Sequence, residues 1–168
     1  MKKLLPFLIL LLLVMSACRI SYSFHSASIN YALTPTMAIR PFVNQAPLVY
    51  APLEPRFNEA LQDVFTRRTR LQIFPNHSEH MSLEGEIIGW QLAPLAVRED
   101  MLADETRLTM TVRIRFSNYM TDEDITETFS ANRVFPANLM LDQVADQLAE
   151  EMISEIVDQI FNATMSNW

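Results

Sequence analysis

Residues 106–118 alternate with a period of two. Leu108, Met110, Val112, Ile114 and Phe116 fall on one side of an extended chain, and Arg107, Thr109, Thr111, Arg113 and Arg115 on the other. Successive side chains of a strand point to opposite faces, so this run makes a strand with one apolar and one polar face. Such a strand needs a core on one side only. It predicts a sheet packed on one face and open on the other, the usual condition of antiparallel sheets.

Two stretches carry the helical period instead. In Leu53–Arg68 the apolar residues Phe57, Leu61, Val64 and Phe65 share a face, and Pro55 sits in the first turn, where proline is tolerated. Arg67, Arg68 and Arg70 cluster at its far end, where cations suit the helix dipole. A second helix is predicted from about Leu139 to Ala163, with Asn138 as its N-cap. Leu141, Val144, Ala145, Leu148, Met152, Ile156, Ile160 and Phe161 form its apolar stripe. Asp142, Asp146, Glu150, Glu151, Glu155 and Asp158 occupy its other face, which has no basic residue.

Four further runs read as strands. They are Met37–Val43, where Pro41 implies an edge position or a bulge, Leu71–Phe74, Leu83–Leu95, and Ile125–Phe135 after the acidic turn Asp122-Glu123-Asp124. Asn44–Pro52 reads as a loop, and residues 97–105 join two strands. The resulting order β-α-β-β-β-β-α predicts an α+β domain over residues 36–168: a mostly antiparallel sheet of four to five strands, with both helices on one face. If residues 83–93 and 106–116 pair antiparallel with partner numbers summing to about 199, Glu84 faces Arg115 and Glu86 faces Arg113. That is a cross-strand charge ladder contributing roughly 0.2–1 kcal/mol per pair. The other reading of Arg107, Arg113 and Arg115 is an anion-recognition ridge, since guanidinium forks bind phosphates bidentately. The two readings are compatible, because a ladder opens when a stronger anion arrives.

The N-terminus is organised differently. Lys2 and Lys3 precede the apolar run Leu4–Met15 and the small residues Ser16 and Ala17. A membrane-spanning helix needs about 20 apolar residues, so residues 1–17 read as a signal peptide. Met15-Ser16-Ala17-Cys18 resembles the bacterial lipobox, and Cys18 is the only cysteine. Acyl and diacylglyceryl groups on Cys18 would form a stable membrane anchor, since each buried CH₂ contributes about 0.8 kcal/mol. Residues 18–35 then form a tether. Arg19 stands where lipoproteins retained in the inner membrane often carry Asp, and no acidic tract follows. Both features favour the periplasmic side of the outer membrane of a Gram-negative cell.

Charge and composition exclude several classes. Beyond residue 17 the chain has eleven arginines, no lysine and twenty acids (11 − 20 = −9). A general nucleic-acid binder needs a basic field. A single cysteine excludes a disulfide framework and any multi-cysteine metal site, and two glycines exclude a Gly-rich phosphate loop. His77-Ser78-Glu79-His80 reads as a turn rather than a metal site. No serine stands in a nucleophile elbow. The expectation is a protein that is not an enzyme and holds no metal or cofactor.

The chain also resembles the LptE family of lipopolysaccharide-assembly lipoproteins in its Bacteroidota form. The resemblance rests on Tyr22-Ser23-Phe24, Ala27-Ser28-Ile29, Asn44-Gln45-Ala46-Pro47-Leu48-Val49, Phe57-Asn58-Glu59-Ala60-Leu61, Leu83-Glu84-Gly85-Glu86-Ile87-Ile88-Gly89-Trp90, Arg107-Leu108-Thr109-Met110-Thr111-Val112, Ile160-Phe161-Asn162 and Asn167-Trp168. His25-Ser26 and residues 97–105 depart from it. The resemblance implies a lipid-anchored outer-membrane protein inside the LptD β-barrel. There it would plug and assemble the translocon that inserts lipopolysaccharide into the outer leaflet, and would bind lipopolysaccharide. Two other classes are carried: a lipoprotein cofactor of another envelope machine, such as a peptidoglycan-synthase activator, and an envelope hydrolase with a dispersed site.

Overall fold

The structure, a computed structural model, describes residues 31–95 and 105–165. The signal peptide, Cys18, the tether up to residue 30, residues 96–104 and the terminal Asn167-Trp168 lie outside the described residues. In chain order the elements are β1 (Thr36–Ile39), β2 (Val43–Asn44), α1 (Leu53–Arg68), β3 (Gln72–Phe74), β4 (Met81–Leu95), β5 (Glu105–Asn118), β6 (Glu123–Pro136) and α2 (Leu141–Met165). This is the expected α+β arrangement, with more parallel pairing than the alternation alone suggested.

The strands run β3-β1-β4-β5-β6 across one sheet, with β2 also paired to β4. Antiparallel pairing joins β4 to β5 and β5 to β6 over nearly their full lengths. The short strands β1, β2 and β3 pair in parallel. The reason is the position of α1. It lies between β1 and β3 in the chain, and a helical crossover returns the chain to start a neighbouring strand in the same direction. Residues 75–80 then pass back across the helix-free face to reach β4. Ser78 Oγ and His80 Nδ1 lie 2.7 and 2.6 Å from Thr36 Oγ1, and Arg40 Nε donates to Asn76 O at 3.3 Å. This segment is a built crossing rather than a solvated turn, with Ser78 itself buried.

The predicted strand Met37–Val43 is split in two. Arg40 N–H still reaches Leu83 O, but Pro41 has no N–H to continue the ladder, and pairing resumes only at Val43. Asn58 of α1 closes the gap. Its Oδ1 accepts from Phe42 N–H at 2.7 Å and its Nδ2 donates to Phe42 O at 2.9 Å. The Phe42 ring thereby turns into the core against Phe57, with centroids 5.2 Å apart.

Both helices lie on one sheet face. Leu53, Phe57, Leu61 and Phe65 of α1 and Met152, Ile156 and Ile160 of α2 meet the apolar side of β5, whose five alternating residues Leu108 to Phe116 are at most 1% exposed. The β4–β5 register sums to 199 from Leu83 to Ile87 and to 200 from Gly89 onwards. Ile88 is the extra residue of a bulge. The bulge puts Trp90 on the core side, where Tyr50 stacks on it at 5.5 Å. Helix α2 starts at Leu141, later than Asn138 would place it. Gln143 Oε1 accepts from Met140 N–H at 3.2 Å, a capping contact made from inside the first turn.

Candidate functional site

The helix-free face of β4, β5 and β6 carries the predicted arginines, and it has the expected ladder. Glu84 pairs with Arg115 and Glu86 with Arg113, as the register arithmetic requires. The ion pairs are long: 3.5 Å from Arg113 to Glu86 and 3.7 Å from Arg115 to Glu84. Charge-assisted hydrogen bonds fall near 2.7–2.9 Å, so neither guanidinium is fully engaged. Arg40, which has no role in the sequence reading, is the closest partner of Glu84. It arrives there because β1 runs parallel beside β4, a non-local pairing with no sequence signature. Arg40, Arg113 and Arg115 therefore surround two carboxylates. They border a groove of about 390 Å³ whose walls include Val43, Gln45 and Thr126.

Arg107 does not join them. It lies on the same face, opposite Ala93 and Val134, six residues and about 20 Å along the strand from Arg113. It makes no ion pair among the described residues. The predicted ridge is thus one cluster plus one isolated arginine. Cys18 lies outside the described residues.

The acidic side of α2, which lacks basic residues of its own, is matched by arginines from elsewhere. Arg133 of β6 holds Glu151 and Glu155, both at 2.8 Å. Arg56 binds Asp146 at 2.9 Å and Arg68 binds Asp158 at 2.7 Å, and Arg68 also lies 5.4 Å over the Phe161 ring. Arg67 pairs with Asp63 one turn back at 2.6 Å. Hydrogen bonds from Arg133 and then Gln147 hold the Glu151 carboxyl below its usual range, and the hydrogen bonds to Glu151 and then Glu155 raise the Arg133 guanidinium. Asp146 is lowered by the Tyr50 hydroxyl and by Arg56. The Tyr50 hydroxyl is pushed up to about 12, first by burial and then by its hydrogen bond to Asp146. These tight contacts fasten helices and sheet together. The loose ones on the open face leave donors for an incoming anion. Among the described residues no group of His, Cys, Asp and Glu could hold a metal ion.

Two helices side by side on one face of a mixed sheet, with an arginine-bearing face left open on the other, define an α+β two-layer domain. The chain belongs to the LptE family, described as lipopolysaccharide-assembly, whose pattern matches residues 34–164. No curated protein sequence matches it. Solved structures share the fold. A minor lipoprotein from Acinetobacter baumannii is 16% identical with a TM-score of 0.50, over 80% of this chain and 94% of that one. The rare lipoprotein B from Shewanella oneidensis is 12% identical with a TM-score of 0.54, over 74% and 92%. A Xanthomonas campestris protein is 9% identical with a TM-score of 0.59, over 79% and 84%. Among the described residues, no helix is long and apolar enough to cross a membrane.

Proposed function

We propose that this protein is an outer-membrane lipoprotein, anchored by acyl and diacylglyceryl groups on Cys18 at the periplasmic side. It plugs and assembles an LptD-type β-barrel and helps pass lipopolysaccharide to the outer leaflet. The observation that carries the reading is the family match over residues 34–164. The lipobox-like Met15-Ser16-Ala17-Cys18 supports the anchor.

The open sheet face supplies the contact with lipopolysaccharide. Arg113 and Arg115 offer guanidinium donors that a lipid phosphate engages in place of their distant partners Glu86 and Glu84, while Arg40 holds Glu84 beside them. Arg107 is a separate, weaker contact further along the strand. The domain's excess of acids does not oppose this. Tight pairs hold Asp146, Glu151, Glu155 and Asp158 on the helix side, and screening limits their reach to about 8 Å at physiological salt. Depleting the protein in its own cell tests the reading. Lipopolysaccharide should vanish from the cell surface and accumulate in inner compartments. Unchanged surface lipopolysaccharide with weakened peptidoglycan would point instead to a synthase activator.

A further inference from the structure

Strand β6 closes one side of the sheet, and its outer edge is unpaired among the described residues. The direction of its backbone groups follows from the ladder. Arg40 N–H bonds to Leu83 O and Gln45 N–H to Ile87 O, so the odd-numbered residues of β4 there turn their backbone towards β1 and β2. Backbone direction alternates along a strand. The even residues Glu84 and Glu86 therefore bond to β5, where they face Arg115 and Arg113. Odd residues of β5 thus bond to β4, and even ones to β6. Phe116 faces Ile125 and Val112 faces Phe129, so the odd residues of β6 bond back to β5. The even residues of β6, from Asp124 to Val134, aim N–H and C=O at the open edge. Over 126–134 the one outward group with a partner among the described residues is Asn132 O, which accepts from Arg133 Nη1 at 2.8 Å.

Nothing blunts this edge. Natural sheets protect their edges with short strands, proline, lysine or bulges. The opposite edge strand, β3, has three residues. Strand β6 has fourteen, keeps an unbroken register with β5, and carries no proline before Pro136 and no lysine. The core beneath it is incomplete. Ile125 and Phe129 are only half-buried, whereas their β5 partners Phe116 and Val112 are fully buried. Beside them Glu123, Asp124 and Glu127 are exposed and make no ion pair among the described residues.

We infer that the free edge of β6 takes up an extended segment of the barrel partner as a further strand of this sheet. The inference rests on the proposed barrel partnership. A row of outward backbone donors and acceptors is matched by the backbone of another extended chain. The segment sets apolar side chains over Ile125 and Phe129, and Lys or Arg opposite the three free carboxylates, as their charge requires. The wall strands of a closed barrel already bond to neighbours on both sides. The segment is therefore a loop or terminal arm that enters the lumen. A second copy of this chain fits less well. It brings the same acidic strand, and its Arg133 is already held by Glu151 and Glu155.

The test compares amide exchange in β6, residue by residue, between the full-length protein purified alone and its complex drawn from detergent-solubilised native membranes. In the free protein the amides of Thr126, Thr128, Ser130 and Asn132 should exchange fast, and those of Phe129 and Ala131 slowly. In the complex the first set should slow by about tenfold or more. Thr128→Pro removes an outward N–H and sets its ring against the incoming strand, so it should cut recovery of the barrel by about tenfold. Thr128→Val keeps the N–H and should retain the barrel, with melting curves confirming that both free variants are folded. A barrel that co-purifies while the outward amides stay fast, or that is recovered undiminished with Thr128→Pro, would overturn the strand addition and leave the partnership standing. Outward amides already slow in a free protein of twice the chain's mass would overturn it in favour of self-pairing. No barrel in the eluate would overturn both readings together.

Discussion

Phe42 occupies the space that a side chain at Gly85 would need. A Cβ placed on Gly85 would lie 2.3 Å from Phe42 Cε1 and 2.3 Å from the carbonyl oxygen of Arg113 on the neighbouring strand. Gly85 is therefore required by the Pro41 break, which sends Phe42 into the core. Gly85→Ala should destabilise the domain by about 3 kcal/mol, the upper part of the overpacking range. Gly89→Ala, whose Cβ meets the Thr111 side chain at 2.9 Å, should cost less. Chemical denaturation of both variants checks the ranking, and equal stabilities would contradict it.

Asn58 satisfies both backbone polar groups of Phe42 at once. Asn58→Ala leaves a donor and an acceptor without partners and should cost about 2–3 kcal/mol. Asn58→Asp keeps an acceptor for Phe42 N–H and removes the donor to Phe42 O, so it should fall between wild type and alanine. Denaturation midpoints decide.

The stability of the fold should have two pH limits. Glu151 and Asp146 are held below their ordinary values of 4.5 and 3.8, so their contribution is complete above those values and is lost as pH falls through the lowered ones. Tyr50 is shifted the other way. Its contribution is complete below 10 and is lost as pH rises towards about 12. Melting temperatures should hold level between about pH 5 and 9.5 and fall on both sides. Arg133→Gln should flatten the acid limb and Tyr50→Phe the alkaline one. Unchanged limbs in these variants would assign the pH dependence to other groups.

The ladder and the ridge make different predictions. Arg113 and Arg115 are half-exposed and only loosely paired with Glu86 and Glu84, so Arg113→Glu with Arg115→Glu should cost no more than about 1–2 kcal/mol of stability. If the face engages phosphorylated glycolipid, the same double variant should weaken lipopolysaccharide binding at least tenfold, because two guanidinium contacts become repulsive. Arg107→Glu should have a smaller effect, given its distance along the strand. Unchanged affinity in the folded double variant would leave the ladder purely structural.

The local and periodic features were legible before any coordinates. The β5 alternation, both helices, the Glu84–Arg115 and Glu86–Arg113 partners and the single packed face all follow from periods of 2 and 3.6 and from hairpin arithmetic. The bulge had a signal in Ile87-Ile88, where two apolar residues interrupt the alternation. Contacts set by long-range topology were not legible. Arg40 meets Glu84 only because β1 runs parallel to β4. Arg56 and Arg68 reach the acidic helix from α1 and Arg133 reaches it from β6, and that helix read alone looks unpaired. Grouping Arg107 with Arg113 and Arg115 used the shared face and overlooked the strand length between them.

The central claim is the barrel partnership. Tagged full-length protein should be pulled from detergent-solubilised native membranes, with mass spectrometry of the co-eluting material and Cys18→Ala alongside. The account predicts a large β-barrel of the LptD type as the dominant partner in stoichiometric amount, reduced when Cys18 is replaced. A peptidoglycan synthase as the main partner, or no barrel at all, would contradict it.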